Sequence, residues 1–212
     1  MSSELRVDSL KTTSGQSVMT FDGSGKVTFS NTSTGSNILE KVGGLCDGST
    51  RTTKSGSTFT LPTVTAYQLI NGNSYVDVDG STVTYTAPTD CIGVLYEFLH
   101  RAAWNDTDHS IQHYRLYLDG TEVVYARTTH AGRYVEDKVG LTWYFGIDSS
   151  LGGQNSNSGA VPSWTSAKTI RWQSRAYGAN GVERMHGSQY WDGGSGNQFH
   201  QPQIWITAFG AS

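Results

Sequence analysis

Seven two-residue turn signals punctuate this chain: Asp22-Gly23, Asp47-Gly48, Asn71-Gly72, Asp79-Gly80, Asp119-Gly120, Asn180-Gly181 and Asp192-Gly193. Each supplies the positive φ angles that tight hairpin loops require, so the chain reads as a succession of antiparallel strands. The flanks agree. In Leu116-Tyr117-Leu118-Asp119-Gly120-Thr121-Glu122-Val123-Val124-Tyr125 the alternation on both sides of Asp119-Gly120 predicts a β-hairpin. Composition points the same way: among 212 residues only 16% are charged, 11% are aromatic and 25 are glycine, which disfavours long solvated helices and disordered charged tails.

Alternation elsewhere assigns faces to strands. Ile92, Val94, Tyr96 and Phe98 fall on one side of their segment, with Glu97 and Arg101 on the other. Ile170, Trp172 and Ala176 oppose Arg171, Gln173 and Arg175 in the same way, and Leu141, Trp143, Phe145 and Ile147 form a further row. The final strand, with Ile204, Ile206 and Ala208 alternating against Trp205, Thr207 and Phe209, reads as buried on both sides. Many strands with one apolar face require a second sheet. Residues 58–212 are therefore expected to form an antiparallel β-sandwich of jelly-roll type.

The leading segment is different. Leu5, Val7, Leu10, Val18, Phe21, Val27 and Phe29 are sparse apolar points in a Ser, Thr and Gly matrix, too few to close a core. Asn37-Ile38-Leu39-Glu40 carries the pattern of a helical turn, with Asn37 as cap, Glu40 reaching back and Gly43-Gly44 as the stop. Residues 1–44 are read as an extended arm with short hairpins and 45–57 as a linker. An arm of this kind gains order from other chains. Leu5, Val7, Leu10, Val18, Phe21, Val27, Phe29, Ile38 and Leu39 are thus the candidate anchoring residues of a homo-oligomer, with a trimer expected.

Charge and motif exclude several functions. A formal charge of −3 and a pI near 6.0, with no run of Lys or Arg, remove the electrostatic footprint of nucleic-acid binding. The amino terminus lacks the charged and apolar regions of a secretory signal, and the longest apolar runs fall far short of the roughly 20 residues of a membrane span. Cys46 and Cys91 are expected to be free thiols. Gly23-Ser24-Gly25-Lys26 lacks the first glycine and the hydroxyl residue of a phosphate loop and reads as a hairpin turn. His109 and His113 lie about 13 Å apart along a strand, too far to share one metal ion, and the six histidines default to packing or surface roles. Asp77, Asp79, Asp106 and Asp108 read as turn residues rather than calcium ligands. No cofactor, catalytic residue or metal ligand is expected.

Two features stay open. Trp104, Trp164, Tyr190, Trp191 and Asp192 sit beside turn-forming residues, where aromatic rings form platforms for a glycan or receptor, or else plug the end of the sandwich or a subunit interface. Glu97, Glu122, Glu136, Asp137, Glu183, Asp106, Asp108 and Asp148 are the acids from which a glycoside-cleaving pair would be drawn, and their convergence is not readable from the sequence.

The order of short motifs resembles that of a viral family. The opening Leu5-Arg6-Val7-Asp8-Ser9-Leu10-Lys11-Thr12-Thr13-Ser14-Gly15, then Met19-Thr20-Phe21-Asp22-Gly23-Ser24-Gly25-Lys26-Val27-Thr28-Phe29, resembles the start of tail-fibre-like and other virion structural proteins of marine tailed bacteriophages. The carboxy-terminal part is similar to a domain recurring in those viruses, through Thr84-Tyr85-Thr86-Ala87-Pro88, Val94-Leu95-Tyr96-Glu97-Phe98, Tyr117-Leu118-Asp119-Gly120, Trp164-Thr165-Ser166, Tyr190-Trp191-Asp192-Gly193 and Phe199-His200-Gln201-Pro202. The resemblance implies a non-enzymatic virion component, assembled in the host bacterial cytoplasm as a symmetric homo-oligomer. Its arm would attach to other capsid or tail proteins, and its globular end would face outward toward a host-surface glycan. With 212 residues there is no long fibrous shaft, so a short tail fibre or a capsid fibre or decoration is expected. A small polysaccharide-cleaving tail spike and a lectin-like carbohydrate-binding protein are the alternatives.

Overall fold

The computed structural model describes residues 9–11, 17–21, 27–29, 37–104, 110–132, 136–178, 181–188 and 198–211. Every regular element among them is a β-strand, and the strand pairs with a described register are antiparallel. The chain divides into two units, Met1–Asn37 with Ala211–Ser212, and Ile38–Gly210.

The first unit contains β1 (Ser9–Lys11), β2 (Ser17–Phe21) and β3 (Val27–Phe29), joined as one three-stranded sheet in which Leu10 faces Met19 and Phe21 faces Val27. Short hairpins were the expectation here, and this sheet is that arrangement. Leu10, Val18, Phe21, Val27 and Phe29 all lie on its strands, whereas Leu5 and Val7 fall outside the described residues.

The second unit opens with β4 (Asn37–Leu45), β5 (Thr50–Thr52), β6 (Thr58–Thr60), β7 (Gln68–Asn71), β8 (Val76–Asp77) and β9 (Val83–Tyr85). The long strands β10 (Cys91–Trp104), β11 (Ser110–Leu118), β12 (Thr121–Gly132) and β13 (Glu136–Gly146) follow. It closes with β14 (Lys168–Ala176), β15 (Val182–Met185), β16 (Gly187–Ser188), β17 (Gln198–Phe199) and β18 (Gln203–Gly210). Strand β10 organises one sheet, ordered β4-β18-β10-β15-β7 with β13 along its other edge. The other sheet runs β12-β11-β14-β8, with β9 also on β14. Between them lies a shared core: Val94, Tyr96, Phe98, Ile204 and Ile206 from the first sheet, Tyr114, Leu116, Leu118, Ile170 and Trp172 from the second. This two-layer arrangement is consistent with a β-sandwich.

The sequence patterns hold in detail. Asp119 and Gly120 take φ of 48° and 80°, and Leu118 pairs with Thr121, so β11 and β12 form the expected tight hairpin. Val94, Tyr96 and Phe98 are buried as a row, while Ile92 is exposed because the register slips between Cys91 and Gly93. Ile204, Ile206 and Ala208 are buried, and so is Thr207 on the opposite face of β18.

Three expectations require correction. Asn37-Ile38-Leu39-Glu40 is the start of strand β4 rather than a helical turn. Local capping is worth about 1 kcal/mol, less than a ladder of strand pairs with β18. Glu40 does not cap; it accepts a 2.7 Å hydrogen bond from Tyr85 Oη and a second from the Lys54 backbone N–H. Residues 45–57 are not a linker. Cys46 is buried with its N–H on the Pro202 carbonyl at 2.9 Å, and β5 pairs with β6. The sandwich unit accordingly begins at Ile38, not at residue 58.

Candidate functional site

Strands β11 and β14 lie side by side, and each turns alternate residues outward. Tyr114, Leu116 and Leu118 point into the core from β11, as do Ile170, Trp172, Ser174 and Ala176 from β14. Period-2 geometry then places His113, Arg115 and Tyr117 on the outer face with Arg171, Gln173 and Arg175. The register matches them: His113 faces Arg175, Arg115 faces Gln173, and Tyr117 faces Arg171. Strand β8 extends one row through Asp77, opposite Gln173, and β12 adds Thr129 beside His113 and Glu122 beside Tyr117.

The face is held together by guanidinium and aromatic groups. Arg115 sits 4.0 Å and Arg175 5.2 Å from the Tyr75 ring centre, so one ring carries two cations. Arg171 lies 5.2 Å from the Tyr117 ring, and His113 stacks on Tyr177 at 5.8 Å. Arg171 is paired with Asp77 Oδ2 at 3.1 Å, and Gln173 Nε2 donates to the other oxygen at 2.8 Å. Arg127 Nε donates to Glu122 Oε1 at 2.7 Å, while Arg115 Nε reaches that same oxygen only at 3.5 Å. The hydrogen bond from Arg127, and then the two guanidinium charges, hold the Glu122 carboxyl below its ordinary range. Three guanidiniums thus share two carboxylates and Arg175 adds a fourth on the Tyr75 ring, a local excess of two positive charges on a chain of net −3.

A bulge turns this face into a hollow. Tyr114 pairs with Thr128 and Leu116 with Val123, so the single residue Arg115 stands opposite four residues of β12. The displaced stretch bonds elsewhere: the Val124 and Tyr125 N–H groups donate to the Ser156 and Asn157 carbonyls, each at 2.9 Å. Beside Arg115 this leaves a pocket of about 460 Å³ lined by Tyr75, His113, Arg115, Arg127, Thr129 and Arg175. A larger cleft, about 600 Å³, runs past Leu39, Cys91, Ile147 and Trp164, with Asp90 and Lys54 as its only charged groups among the lining residues. We favour the smaller pocket as the site because its charged donors converge.

The structure distributes the sequence-predicted residues unevenly. Trp164 is a correction: rather than presenting a ring to a glycan, it is buried, donates Nε1–H to the Tyr85 carbonyl at 2.9 Å and packs edge-on against Phe145. A turn-rich neighbourhood signals where the backbone runs, not where a large ring points. Trp104 ends β10 opposite Glu183, and Tyr190, Trp191 and Asp192 lie outside the described residues. Ile38 is exposed, and Leu39 packs against the core of its own unit. Tyr75, Arg115, Arg127, Arg175 and Tyr177 were not singled out from sequence. The signal that could have found them is the outward series His113-Arg115-Tyr117 and Arg171-Gln173-Arg175, which becomes a surface only once the two strands are known to pair.

A second polar cluster is internal. His100 and His186 are buried with their rings 5.7 Å apart, and His100 Nε2 lies 3.3 Å from Tyr114 Oη, which donates to Gln112 Oε1 at 2.5 Å. Among the described residues no group of three His, Cys, Asp or Glu side chains could hold a metal ion, and no helix is long and apolar enough to cross a membrane. The chain matches no protein-family model, and no curated protein is significantly similar to it.

Proposed function

We propose that this chain is a structural component of a bacteriophage particle. It is a short tail-fibre or capsid-fibre module whose leading segment anchors it and whose sandwich, of jelly-roll type, faces outward for adhesion. The observation that carries the adhesive role is the outer face of β11 and β14. Its outward positions 113, 115, 117, 171, 173 and 175 are all His, Arg, Tyr or Gln, with no Lys or Glu among them. A merely solvated sheet face favours Lys and Glu, whereas Arg and Tyr dominate surfaces that make contacts. The motif order at both ends of the chain supports the viral assignment, and the sparse apolar points of the first unit support assembly as a homotrimer.

Immunogold labelling of purified phage particles with antibodies against the full chain tests this reading. Regular labelling on capsid or tail is the expected result, and unlabelled particles would refute it. Light scattering on the purified chain checks the oligomer, for which a mass of three copies is expected. The lectin-like alternative uses the same Arg and Tyr face and differs only in lacking a particle, so the same micrographs separate the two.

A further inference from the structure

We propose that the hollow beside Arg115 binds the oxyanion groups, carboxylate or sulfate ester, of an acidic surface polysaccharide; this rests on the adhesive reading above and names its ligand class. The donors are in place before any ligand arrives. Arg115 and Arg175 are both laid on the Tyr75 ring, which fixes planar forks that would otherwise lose rotamer freedom on binding. Neither fork is fully engaged by the protein, although Arg115 Nε keeps its 3.5 Å ion pair with Glu122. Among the described residues Arg175 makes no ion pair and one hydrogen bond, a 3.5 Å contact from Nη1 to the Ala176 carbonyl, and Arg115 makes no hydrogen bond. His113 Nε2 is buried at this pocket without a hydrogen-bond partner. Such groups are satisfied by an acceptor-rich ligand, and a guanidinium fork matches the two oxygens of a carboxylate or sulfate.

Shape and charge narrow the class. A volume of about 460 Å³ falls within the range of small-ligand pockets, so a short stretch of sugar chain is accommodated rather than a flat protein surface. The Tyr75 ring is already covered by cations, which leaves little open aromatic face for a neutral sugar to stack upon. Nucleic acid is disfavoured because the arginines converge on one hollow rather than forming a stripe along a phosphate backbone, and the whole chain is acidic. On a homotrimer, three such pockets would engage one polymer with a gain from multivalency.

Titration calorimetry of the full-length chain against a polyuronate, a sulfated galactan, neutral dextran and single-stranded DNA tests the proposal. Binding to at least one of the two anionic polysaccharides is expected, with at least tenfold weakening between 50 and 500 mM salt and none to dextran. Arg175→Gln and Arg115→Gln should each weaken it tenfold or more with an unchanged circular dichroism spectrum, while Lys54→Gln, away from this pocket, should not. Free glucuronate or inorganic sulfate should compete. Equal binding of dextran or DNA, or unaltered affinity in both arginine variants, would overturn the inference. A parallel assay on host cells keeps the two readings apart. Wild-type and Arg175→Gln chains adhering equally would remove the pocket and leave adhesion standing, whereas a wild-type chain that fails to adhere would remove adhesion whatever the polysaccharide result.

Discussion

His100 and His186 occupy the interior, where an imidazolium loses its hydration. Burial pushes His186 down to about 4 and His100 well below the ordinary 6.5, and His100 is lowered further by the nearby His186 and His130. Because both folded values lie below the unfolded one, the unfolded chain takes up protons first as pH falls. Stability is therefore full above pH 6.5 and declines as the pH drops toward 4, by on the order of 3 kcal/mol for His186 alone. The melting temperature should fall between pH 7 and pH 5, before most carboxylates titrate. His186→Asn, which tolerates the left-handed backbone at φ 61°, should flatten that slope; an equally steep slope in the variant would show that His186 is not the group. The two thiols separate similarly. Cys46 is fully buried and its thiol is pushed up to about 12, by burial first and by Asp47 second, whereas Cys91 is only half-buried. A thiol reagent should label Cys91 slowly in the native chain and Cys46 only in denaturant, and two equally fast thiols would contradict this burial.

At the scale of single elements, β4 shows how a nonlocal pairing overrides a local signal. Asn37 and Glu40 have the spacing of a capping box, and Gly43-Gly44 that of a helix stop, yet the segment is extended along β18. Gly43 permits the close approach. A Cβ added there would stand 2.7 Å from the Trp205 Cα and nearer still to the Ile204 carbonyl oxygen, both backbone atoms that cannot swing aside. Gly43→Ala should destabilise the fold by about 1–3 kcal/mol, read as a shift of the denaturant midpoint at unchanged slope. A midpoint within error of wild type would mean that β4 is free to lift away. Strand β14 is the opposite case. Its alternation was readable residue by residue, and the structure reproduces it from Ile170 to Ala176, because a strand with one face on a core and one in solvent has no other way to hide its apolar side chains.

For the whole molecule, the division after Asn37 separates a sheet of three short strands from a unit with its own continuous core, which runs from Val42 to Ala208. Removing residues 1–35 should therefore leave a chain with a single cooperative melting transition close to the parent's. The same truncation should abolish incorporation into phage particles and the threefold mass in light scattering. Continued incorporation would refute the anchoring role, and loss of cooperative folding would show that the first unit is part of the sandwich's stability. The arginine-rich face belongs to this scale too, since its hollow is lined by Tyr75, just before β8, and by residues of β11, β12 and β14, as far apart in sequence as Tyr75 and Arg175.

Periodicity and turn chemistry alone determined the all-β class, the β11–β12 hairpin and the inward rows of β10, β14 and β18, because these depend on neighbours two to four residues apart. Contacts between distant segments decided the rest. Only pairing with β18 makes β4 a strand, only packing against Tyr85 and Phe145 takes Trp164 out of solvent, and only the register of β11 on β14 brings Arg115 and Arg175 to Tyr75. A local pattern fixes which way a side chain points from its own strand. Which side chain it meets is set by the closing of long loops, and that free energy is spread over the entire core rather than written at any one position.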